Sequence, residues 1–253
     1  MPDVFKGLIM DKDKIGDLLY KFTIVVSKSL AEQFRAGQFI HIKCGDERIL
    51  RRPISISDVT GGDISFVIEV KGDGTKWLSE RNVDEVLDVI GPLGNGFVLP
   101  EGKVVVVGGG VGAPPLMYAA KSASGSVSAV LGFRSKDKMM LPDEFEDICD
   151  SVVVTTDDGS YGIHGTVVEP LKLLLDKGDY SAVLTCGPRS MMEAVAKLCL
   201  EYGIPCQVSL EERMGCGVGA CYVCACRTLK DGAEYMSRVC VEGPVFDAMD
   251  VVW

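Results

Sequence analysis

Histidine is scarce in this 253-residue chain, which contains only His41 and His164. Neither has a neighbour at the spacing of a metal site, and the H-E-x-x-H pattern of zinc peptidases is absent. No nucleophile and base stand in a recognisable catalytic arrangement. The sequence therefore excludes the common histidine-dependent hydrolases, and we expect both histidines at surface or turn positions.

Positive charge is in deficit, with 26 Lys and Arg against 36 Asp and Glu and a net charge of −10. This balance argues against nucleic acid or an anionic membrane as a partner. The longest uncharged stretch, 104–120, is interrupted by glycines and by Pro114 and Pro115, so it is not a membrane span. Residues 1–14 mix acids and lysines without an apolar core, so no secretory signal is expected. We expect a cytoplasmic protein.

Cysteine, by contrast, is abundant, with ten residues. In a chain of this size without a signal, they indicate reduced thiols and a metal site. Four follow the spacing C-x4-C-x2-C-x15-C: Cys216, Cys221, Cys224 and Cys240. Plant-type ferredoxins bind a [2Fe–2S] cluster with this arrangement. Glycines around the first two thiols would let the backbone approach the cluster closely. The spacing therefore predicts an electron carrier.

A structural zinc site is the alternative for these thiols, and the chain would then be a zinc-stabilised binding module without a redox role. Zinc knuckles favour C-x2-C pairs at both ends, whereas here only Cys221 and Cys224 form such a pair. Cys226 has no place in the four-ligand pattern.

The hydrophobic pattern divides the chain into three segments, which predict a multi-domain fold. Residues 1–100 contain short apolar or alternating runs at 20–26, 38–44, 63–70 and 86–90, typical of an antiparallel β-barrel. Residues 101–210 alternate β-branched runs with helical stretches at 166–176 and 190–202, which predicts an α/β domain with a parallel sheet. Residues 211–253 form a small cysteine-rich domain. In an α/β domain of this kind, ligands bind beyond the carboxyl ends of the strands.

Two segments of the central domain indicate a dinucleotide site. The glycine-rich loop at 108–115, with Gly110 and Gly112, follows an apolar run directly and precedes a helical stretch, as in pyrophosphate-binding turns. Asp157 and Asp158 follow the run at 152–155, where carboxylates could accept hydrogen bonds from ribose hydroxyls and repel a 2′-phosphate. This favours NAD over NADP, although a solvated turn explains the two carboxylates equally well.

The chain resembles flavin reductases of the ferredoxin-NADP reductase superfamily in three further motifs. The first is Arg51-Arg52-Pro53-Ile54-Ser55, expected to close a barrel strand; the second is Gly72-Asp73-Gly74-Thr75; the third is Cys186-Gly187-Pro188. The glycine-rich loop likewise matches the superfamily's G-x-G-x-x-P. The resemblance implies that the first motif lines FAD, the second contacts its phosphates and Cys186 lies beside the nicotinamide. An ordinary hairpin turn remains open for the second motif, and a structural cysteine for the third.

Matching the superfamily's motifs to this sequence position by position implies a FAD site and an NAD site. The residues implied for FAD are Arg52, Pro53, Ile54, Ser55, Val67, Ile68, Glu69, Gly74 and Thr75. Those implied for NAD are Gly110, Gly112 and Cys186, to which the position after the run at 152–155 adds Asp157. No catalytic residue of the chain itself is implied, because the cofactors carry the chemistry of hydride transfer.

The order of these motifs, together with the tail Arg238-Val239-Cys240-Val241-Glu242, resembles the electron-transfer subunits of class 1B dihydroorotate dehydrogenase. That resemblance implies FAD, a [2Fe–2S] cluster and NAD as cofactors or substrate, within pyrimidine biosynthesis. It also implies an FMN-containing catalytic subunit as partner, two of each chain. Subunits of NADH-dependent ferredoxin:NADP oxidoreductase or sulfhydrogenase are the alternative. Apolar residues are expected to form the docking face: Met214, Val218, Tyr222, Val223, Val251, Val252 and Trp253.

Overall fold

The first part of the chain folds into a closed antiparallel barrel in a computed structural model that describes residues 2–253. Its strands are β1 (Asp3–Lys14), β2 (Leu19–Val25), β3 (Phe39–Ile42), β4 (Arg52–Thr60), β5 (Asp63–Glu69) and β6 (Val86–Leu93). They lie in the order β1-β2-β5-β4-β3-β6. Two short helices, α1 (Lys28–Ala31) and α2 (Asp73–Ser79), belong to the same part of the chain.

The barrel is filled by every second residue of its strands, as the alternating runs predict. Phe22 and Phe66 stack inside it with ring centroids 5.4 Å apart, and Ile40 and Ile42 point inward beside them. The predicted barrel is confirmed. The sequence interpretation missed β1, because lysines and aspartates dominate its exposed positions and Gly7 replaces one inward side chain. A methyl group on Gly7 would lie 2.7 Å from Cδ1 of Ile24.

The second part forms a seven-stranded sheet. Its strands are β7 (Val104–Gly109), β8 (Val127–Phe133), β9 (Ser151–Thr156), β10 (Ile163–His164), β11 (Ala182–Cys186), β12 (Cys206–Ser209) and β15 (Val245–Asp247). The order is β10-β9-β8-β7-β11-β12-β15, with all pairs parallel except the last. The helices are α3 (Pro114–Ser122), α4 (Pro142–Ile148), α5 (Val168–Leu175) and α6 (Arg189–Tyr202).

Helices cover this sheet on both faces, which explains the continuous valine run of β7. Val104 and Val106 share a core cluster with residues of α3 and α4. Val105 and Val107 share one with residues of α5 and α6. The predicted parallel-sheet domain is therefore confirmed. No helix within residues 2–253 is long and apolar enough to cross a membrane.

The C-terminal segment adds a hairpin, β13 (Ala225–Lys230) with β14 (Ala233–Arg238), and then returns to the second sheet. Strand β15 pairs antiparallel with β12. Cys224, Val239 and Cys240 belong to the same core cluster as helix α6, and this cluster also includes Phe39 of the barrel. The cysteine-rich segment is thus built onto both larger units rather than around a core of its own.

Candidate functional site

Two neighbouring arginines at the start of β4 have different surroundings. Arg51 donates to the carboxylate of Asp88 at 2.5 Å and to the Asp88 carbonyl at 2.9 Å. Arg52 donates only to the carbonyls of Leu50 at 2.7 Å and Arg51 at 3.3 Å. Arg51 therefore ties β4 to β6, while the charge of Arg52 is left for an anion. The motif opens β4, so the expectation that it closes a strand was wrong.

Gly74 is buried beneath this second arginine. A methyl group built on it would lie 2.8 Å from the guanidinium carbon of Arg52, so the absence of a side chain lets Arg52 lie across the start of α2. The Thr75 hydroxyl accepts hydrogen bonds from the backbone N–H groups of Lys71 at 3.0 Å and Gly72 at 3.3 Å. The segment begins a helix, so the hairpin-turn alternative was wrong. A first helical turn has backbone N–H groups without intrahelical partners, next to a guanidinium, which suits a phosphate.

The remaining residues implied for FAD differ in whether their side chains are accessible from outside the barrel. Pro53 and Ser55 are half-buried and pair across the sheet with His41 and Phe39 on the outer side of the barrel. Ile54 contacts the barrel core, and Ile68 is fully inside it, so these two can offer only backbone to a ligand outside. Pro53 and Ser55 therefore define the accessible face of the motif.

The glycine-rich loop lies directly against the Cys186-Gly187-Pro188 turn. A methyl group on Gly112 would lie 2.5 Å from the carbonyl carbon of Cys186, and one on Gly109 would lie 2.8 Å from Cδ of Pro188. Gly110, with φ of +52°, has open space where a side chain would be. The two turns thus sit together beyond the carboxyl ends of β7 and β11, which is the usual ligand position in such sheets. Burial raises the pKa of the Cys186 thiol to about 12, so it is neutral.

The two aspartates after β9 are exposed and have different roles. The Asp158 carboxylate accepts from the hydroxyl of Ser160 at 2.6 Å and from its N–H at 2.9 Å, and these bonds lower the pKa of Asp158. Asp157 uses only its backbone N–H, which donates to Phe133 at 3.0 Å. Asp157 therefore has the carboxylate available for a ribose.

The four cysteines of the ferredoxin-like spacing converge as two pairs. The backbone N–H of Cys216 donates to Sγ of Cys221 at 3.4 Å, and the thiols of Cys224 and Cys240 interact with each other. Within residues 2–253, no three Cys, His, Asp or Glu side chains converge on a single ion position. A [2Fe–2S] cluster needs two thiolates on each of two irons, so two adjacent pairs suit it better than they suit one zinc ion.

The loop supplies N–H donors to the first thiol. Those of Ala220 and Val218 lie 3.2 and 3.5 Å from Sγ of Cys216. Although partial burial raises the pKa of Cys216, hydrogen bonds with Val218, Cys221 and Ala220 outweigh it and lower the pKa to about 7. A thiolate stabilised by N–H groups is the form that iron binds. Cys226 lies buried in β13, and burial raises its pKa to about 11.

The sequence analysis did not identify the contacts that hold this loop. Arg238 donates to the carbonyl of Gly219 at 3.0 Å, forms an ion pair with Glu242 and stacks on Tyr222 with 4.9 Å between guanidinium and ring centroid. From the barrel side, the Asn95 side chain donates to the carbonyls of Val241 at 3.1 Å and Glu242 at 2.9 Å. The contacts of Arg238 and Asn95 therefore fix the cysteine loop to the tail at 238–242, and the tail to the segment that follows the last barrel strand, β6.

His41 was expected at a surface or turn, and that expectation was wrong. It lies in β3 with no exposed surface, between the strand that carries Pro53 and the cysteine loop. Desolvation by burial, reinforced by the charge of Arg51, lowers the pKa of His41 to about 4, so the ring is neutral. His164 is exposed on β10, as expected.

The apolar surface beside the cysteines includes Val241, which was not expected there, and lacks Val251 and Met214, which were. Val218, Tyr222 and Val223 are each about half exposed, and Val241 is exposed next to them. Val251 is buried, so the chain end does not contribute that residue to the surface. Met214 packs against the core.

The chain is similar to known proteins over nearly its full length. A family model described as the iron-sulfur cluster binding domain of dihydroorotate dehydrogenase B matches residues 211–252. The electron transfer subunit of dihydroorotate dehydrogenase B (NAD(+)) from Caldanaerobacter subterraneus is 37% identical over 250 residues, covering 98% of each chain. The corresponding subunit from Desulforamulus reducens is 41% identical over 226 residues, covering 86% of each.

Solved structures agree with the fold. A chain of an NADH-dependent reduced ferredoxin-NADP oxidoreductase, described in work on flavin-based electron bifurcation, has a TM-score of 0.87 and 33% identity, covering 98% of this chain and 90% of that one. The ferredoxin reductase of carbazole 1,9a-dioxygenase has a TM-score of 0.68 and 22% identity, covering 81% of this chain and 67% of that one.

Proposed function

The chain belongs to the family of dihydroorotate dehydrogenase B electron transfer subunits, and we propose that it carries electrons between a catalytic partner subunit and NAD. Its cofactors are FAD and a [2Fe–2S] cluster. When bound, FAD exchanges a hydride with a nicotinamide and single electrons with an iron–sulfur cluster. Dihydroorotate itself is oxidised on an FMN-containing partner, and the product enters pyrimidine biosynthesis. We propose two copies of each chain in the complex.

The residues proposed for this electron transfer lie at three sites, one for FAD, one for NAD and one for the cluster. Arg52 and the first turn of α2 hold the FAD pyrophosphate, while Pro53 and Ser55 bound the flavin on the outer face of the barrel. Gly110 and the Cys186-Gly187 turn receive NAD beyond the ends of β7 and β11. Cys216, Cys221, Cys224 and Cys240 hold the cluster. Val67 and Glu69, on β5 beside β4, remain proposed FAD neighbours.

The observation that carries this proposal is the position of the two cysteine pairs. Cys216 and Cys221 lie on a loop whose Gly217 is packed against the outer face of the barrel, where β3 and β4 carry His41 and Pro53, and Cys224 and Cys240 lie at the two ends of the β13–β14 hairpin. This arrangement supports a one-electron carrier between the proposed flavin strand and the exposed apolar surface at Val218, Tyr222 and Val223. That surface is our proposed docking face for the catalytic subunit.

A subunit of an NADH-dependent ferredoxin:NADP oxidoreductase is the second candidate, because the structural relative of that type covers 98% of this chain. Its 33% identity is lower than the 37% and 41% of the two dihydroorotate dehydrogenase relatives. Visible absorption with iron and flavin analysis tests the redox assignment: a zinc-stabilised binding module would be colourless. Reconstitution with each type of partner subunit then separates the two redox candidates.

FAD retention should depend on Arg52. Replacing it by alanine removes a charge-assisted, forked hydrogen-bond donor and should weaken FAD binding by about 2 kcal/mol, roughly 30-fold in Kd. Arg52→Lys should recover only part of this, since an ammonium lacks the fork. FAD fluorescence during titration of the apoprotein gives the affinities.

Arg227→Ala serves as the matched control, because Arg227 is an exposed arginine on the hairpin. Equal FAD affinity in Arg52→Ala and Arg227→Ala would remove Arg52 from the proposed site. Circular dichroism of each variant establishes that the fold is retained.

NADH should be preferred over NADPH, because the exposed Asp157 carboxylate would repel a 2′-phosphate and accept from a ribose hydroxyl. Asp157→Asn should raise kcat/KM for NADPH by about tenfold, equivalent to one lost unit-charge repulsion near the surface. Steady-state dye reduction with each nucleotide measures both values. The control is Asp158→Asn, whose carboxylate is already bound to Ser160. Preference for NADPH in the unaltered chain would favour the ferredoxin:NADP alternative.

A further inference from the structure

His41 is a buried polar side chain without a hydrogen-bond partner. The His41 side chain has no exposed surface, and neither Nδ1 nor Nε2 forms a hydrogen bond of good geometry, although the backbone carbonyls of Arg51 and Cys216 lie close enough to raise the pKa of the ring. Buried polar groups in folded proteins are almost always paired, since an unpaired one loses its hydration without compensation. With no well-formed hydrogen bond to the protein, the ring nitrogens are able to pair with a further group.

The ring faces the cysteine loop. A methyl group built on Gly217 would lie 2.5 Å from Nδ1 of His41, and Gly217 has φ of +72°, so the loop approaches the ring at a residue where only glycine fits easily. Gly217 directly follows Cys216, the first thiol of the cluster spacing. Nδ1 of His41 thus faces the backbone of the loop that carries Cys216, the first proposed cluster ligand.

The same ring lies beside the flavin strand. His41 pairs directly with Pro53 across β3 and β4, so both side chains are on the outer face of the barrel. Phe39, two residues earlier on that face, belongs to the core cluster that contains Cys224 and Cys240. His41 therefore lies between Pro53 of the proposed flavin strand and Gly217 of the cysteine loop.

We propose that the imidazole of His41 donates its Nδ1–H hydrogen bond to a sulfur of the [2Fe–2S] cluster and thereby raises the reduction potential of that cluster. The proposal rests on the proposed cluster site. Reduction adds one electron to the cluster, and an N–H dipole aimed at a sulfur stabilises the added negative charge. The proton stays on the nitrogen throughout, and no bond is formed or broken. His41 is a positioning residue here, since it stabilises the reduced state of the cluster and is not itself oxidised.

Pulsed electron paramagnetic resonance tests the contact in the unaltered protein. The chain is produced with ¹⁵N-histidine and its cluster is reduced with dithionite, which generates the paramagnetic state. Because the chain has only two histidines, a ¹⁵N hyperfine coupling to the cluster can come only from His41 or from the exposed His164. We expect one coupled ¹⁵N, retained in His164→Asn and lost in His41→Leu.

Redox titration of two substitutions at this position tests the consequence. Asparagine places an amide N–H close to where the Nδ1–H of histidine lies, whereas leucine has similar bulk and no donor. His41→Leu should lower the cluster potential so that the reduced fraction in equilibrium with a fixed mediator falls by about tenfold, which is ~59 mV for one electron. His41→Asn should retain most of the original potential.

Each outcome distinguishes the inference from its premise. A reconstituted chain without a reduced-cluster signal would overturn the cluster site and this inference together. A chain with that signal but without a ¹⁵N coupling, or with equal potentials in His41→Leu and the unaltered protein, would overturn the inference alone. If His41→Leu fails to retain a cluster, the labelled unaltered protein and His164→Asn still decide whether the contact exists.

Discussion

Replacing Cys224 by serine is expected to abolish the visible absorption of the cluster, whereas replacing Cys226 should preserve it. The two residues are a matched pair, because both are cysteines, both are almost fully buried and only one residue separates them. They differ in surroundings. The Cys224 thiol contacts that of Cys240, while Cys226 lies in β13 opposite Ser237.

The size of the effect follows from iron chemistry. Iron in such clusters is held by soft thiolate ligands, and a serine hydroxyl is a much poorer ligand for it. Altering even a residue that supports a ligand typically costs 10–100-fold in metal affinity, so loss of a ligand should reduce iron content by roughly tenfold or more. Cys226→Ser should cost only stability, about 1–3 kcal/mol for burying a hydroxyl in an apolar place.

Iron and sulfide analysis of the purified variants, together with their visible spectra, measures this difference. Loss of the cluster from both variants to the same extent would show that the spacing identified the wrong ligands. Retention of the cluster in both would show that Cys224 is dispensable, and the five other cysteines outside the spacing would then need to be tested as its replacement.

Local sequence patterns were sufficient to predict the two large domains. The alternation in β2 and β5 and the uninterrupted valines of β7 each reflect burial that the strand's own residues reveal. Strand β1 was missed because its outward residues are charged and one inward residue is glycine. Strand β15 could not be predicted, since its three residues join the second sheet only after the chain has formed the cysteine loop and hairpin.

The candidate site was predictable where its chemistry depends on neighbours in sequence. The cysteine spacing and the glycine-rich loop are of this kind. His41, Asn95 and Arg238 were not predictable in their roles, because each acts on a segment remote from its own. No pattern around His41 indicates that a loop near residue 217 will cover it. Likewise, nothing in Arg51-Arg52 indicates which of the two is neutralised by Asp88.

The isolated chain should reduce dyes with NADH but should not oxidise dihydroorotate. Removal of a carbon-bound proton requires a positioned general base, which contributes about 10²–10⁴-fold to such steps. His41 is enclosed, and burial raises the pKa of Cys149 and Cys186 to about 12, so these thiols are protonated at neutral pH. His164 lies exposed on β10 at the edge of the second sheet.

Supplying the missing base should restore the reaction. Addition of an FMN-containing dihydroorotate dehydrogenase subunit should make NAD a competent acceptor, with NAD reduction by dihydroorotate rising at least about 10²-fold over the separate chains. The gain should depend on the apolar surface beside the cluster, since the electrons leave there. Tyr222→Glu and Val223→Glu place charge on that surface and should weaken the complex, while dye reduction by NADH stays unchanged.

A charge outside the cysteine-rich segment provides the control for this dependence. Leu173→Glu alters an exposed residue of helix α5 and should affect neither activity. Analytical ultracentrifugation of each mixture separates loss of assembly from loss of electron transfer within an assembled complex. If the purified single chain reduced NAD with dihydroorotate, a base would have to exist on this chain, and the division of labour between two subunits would be wrong.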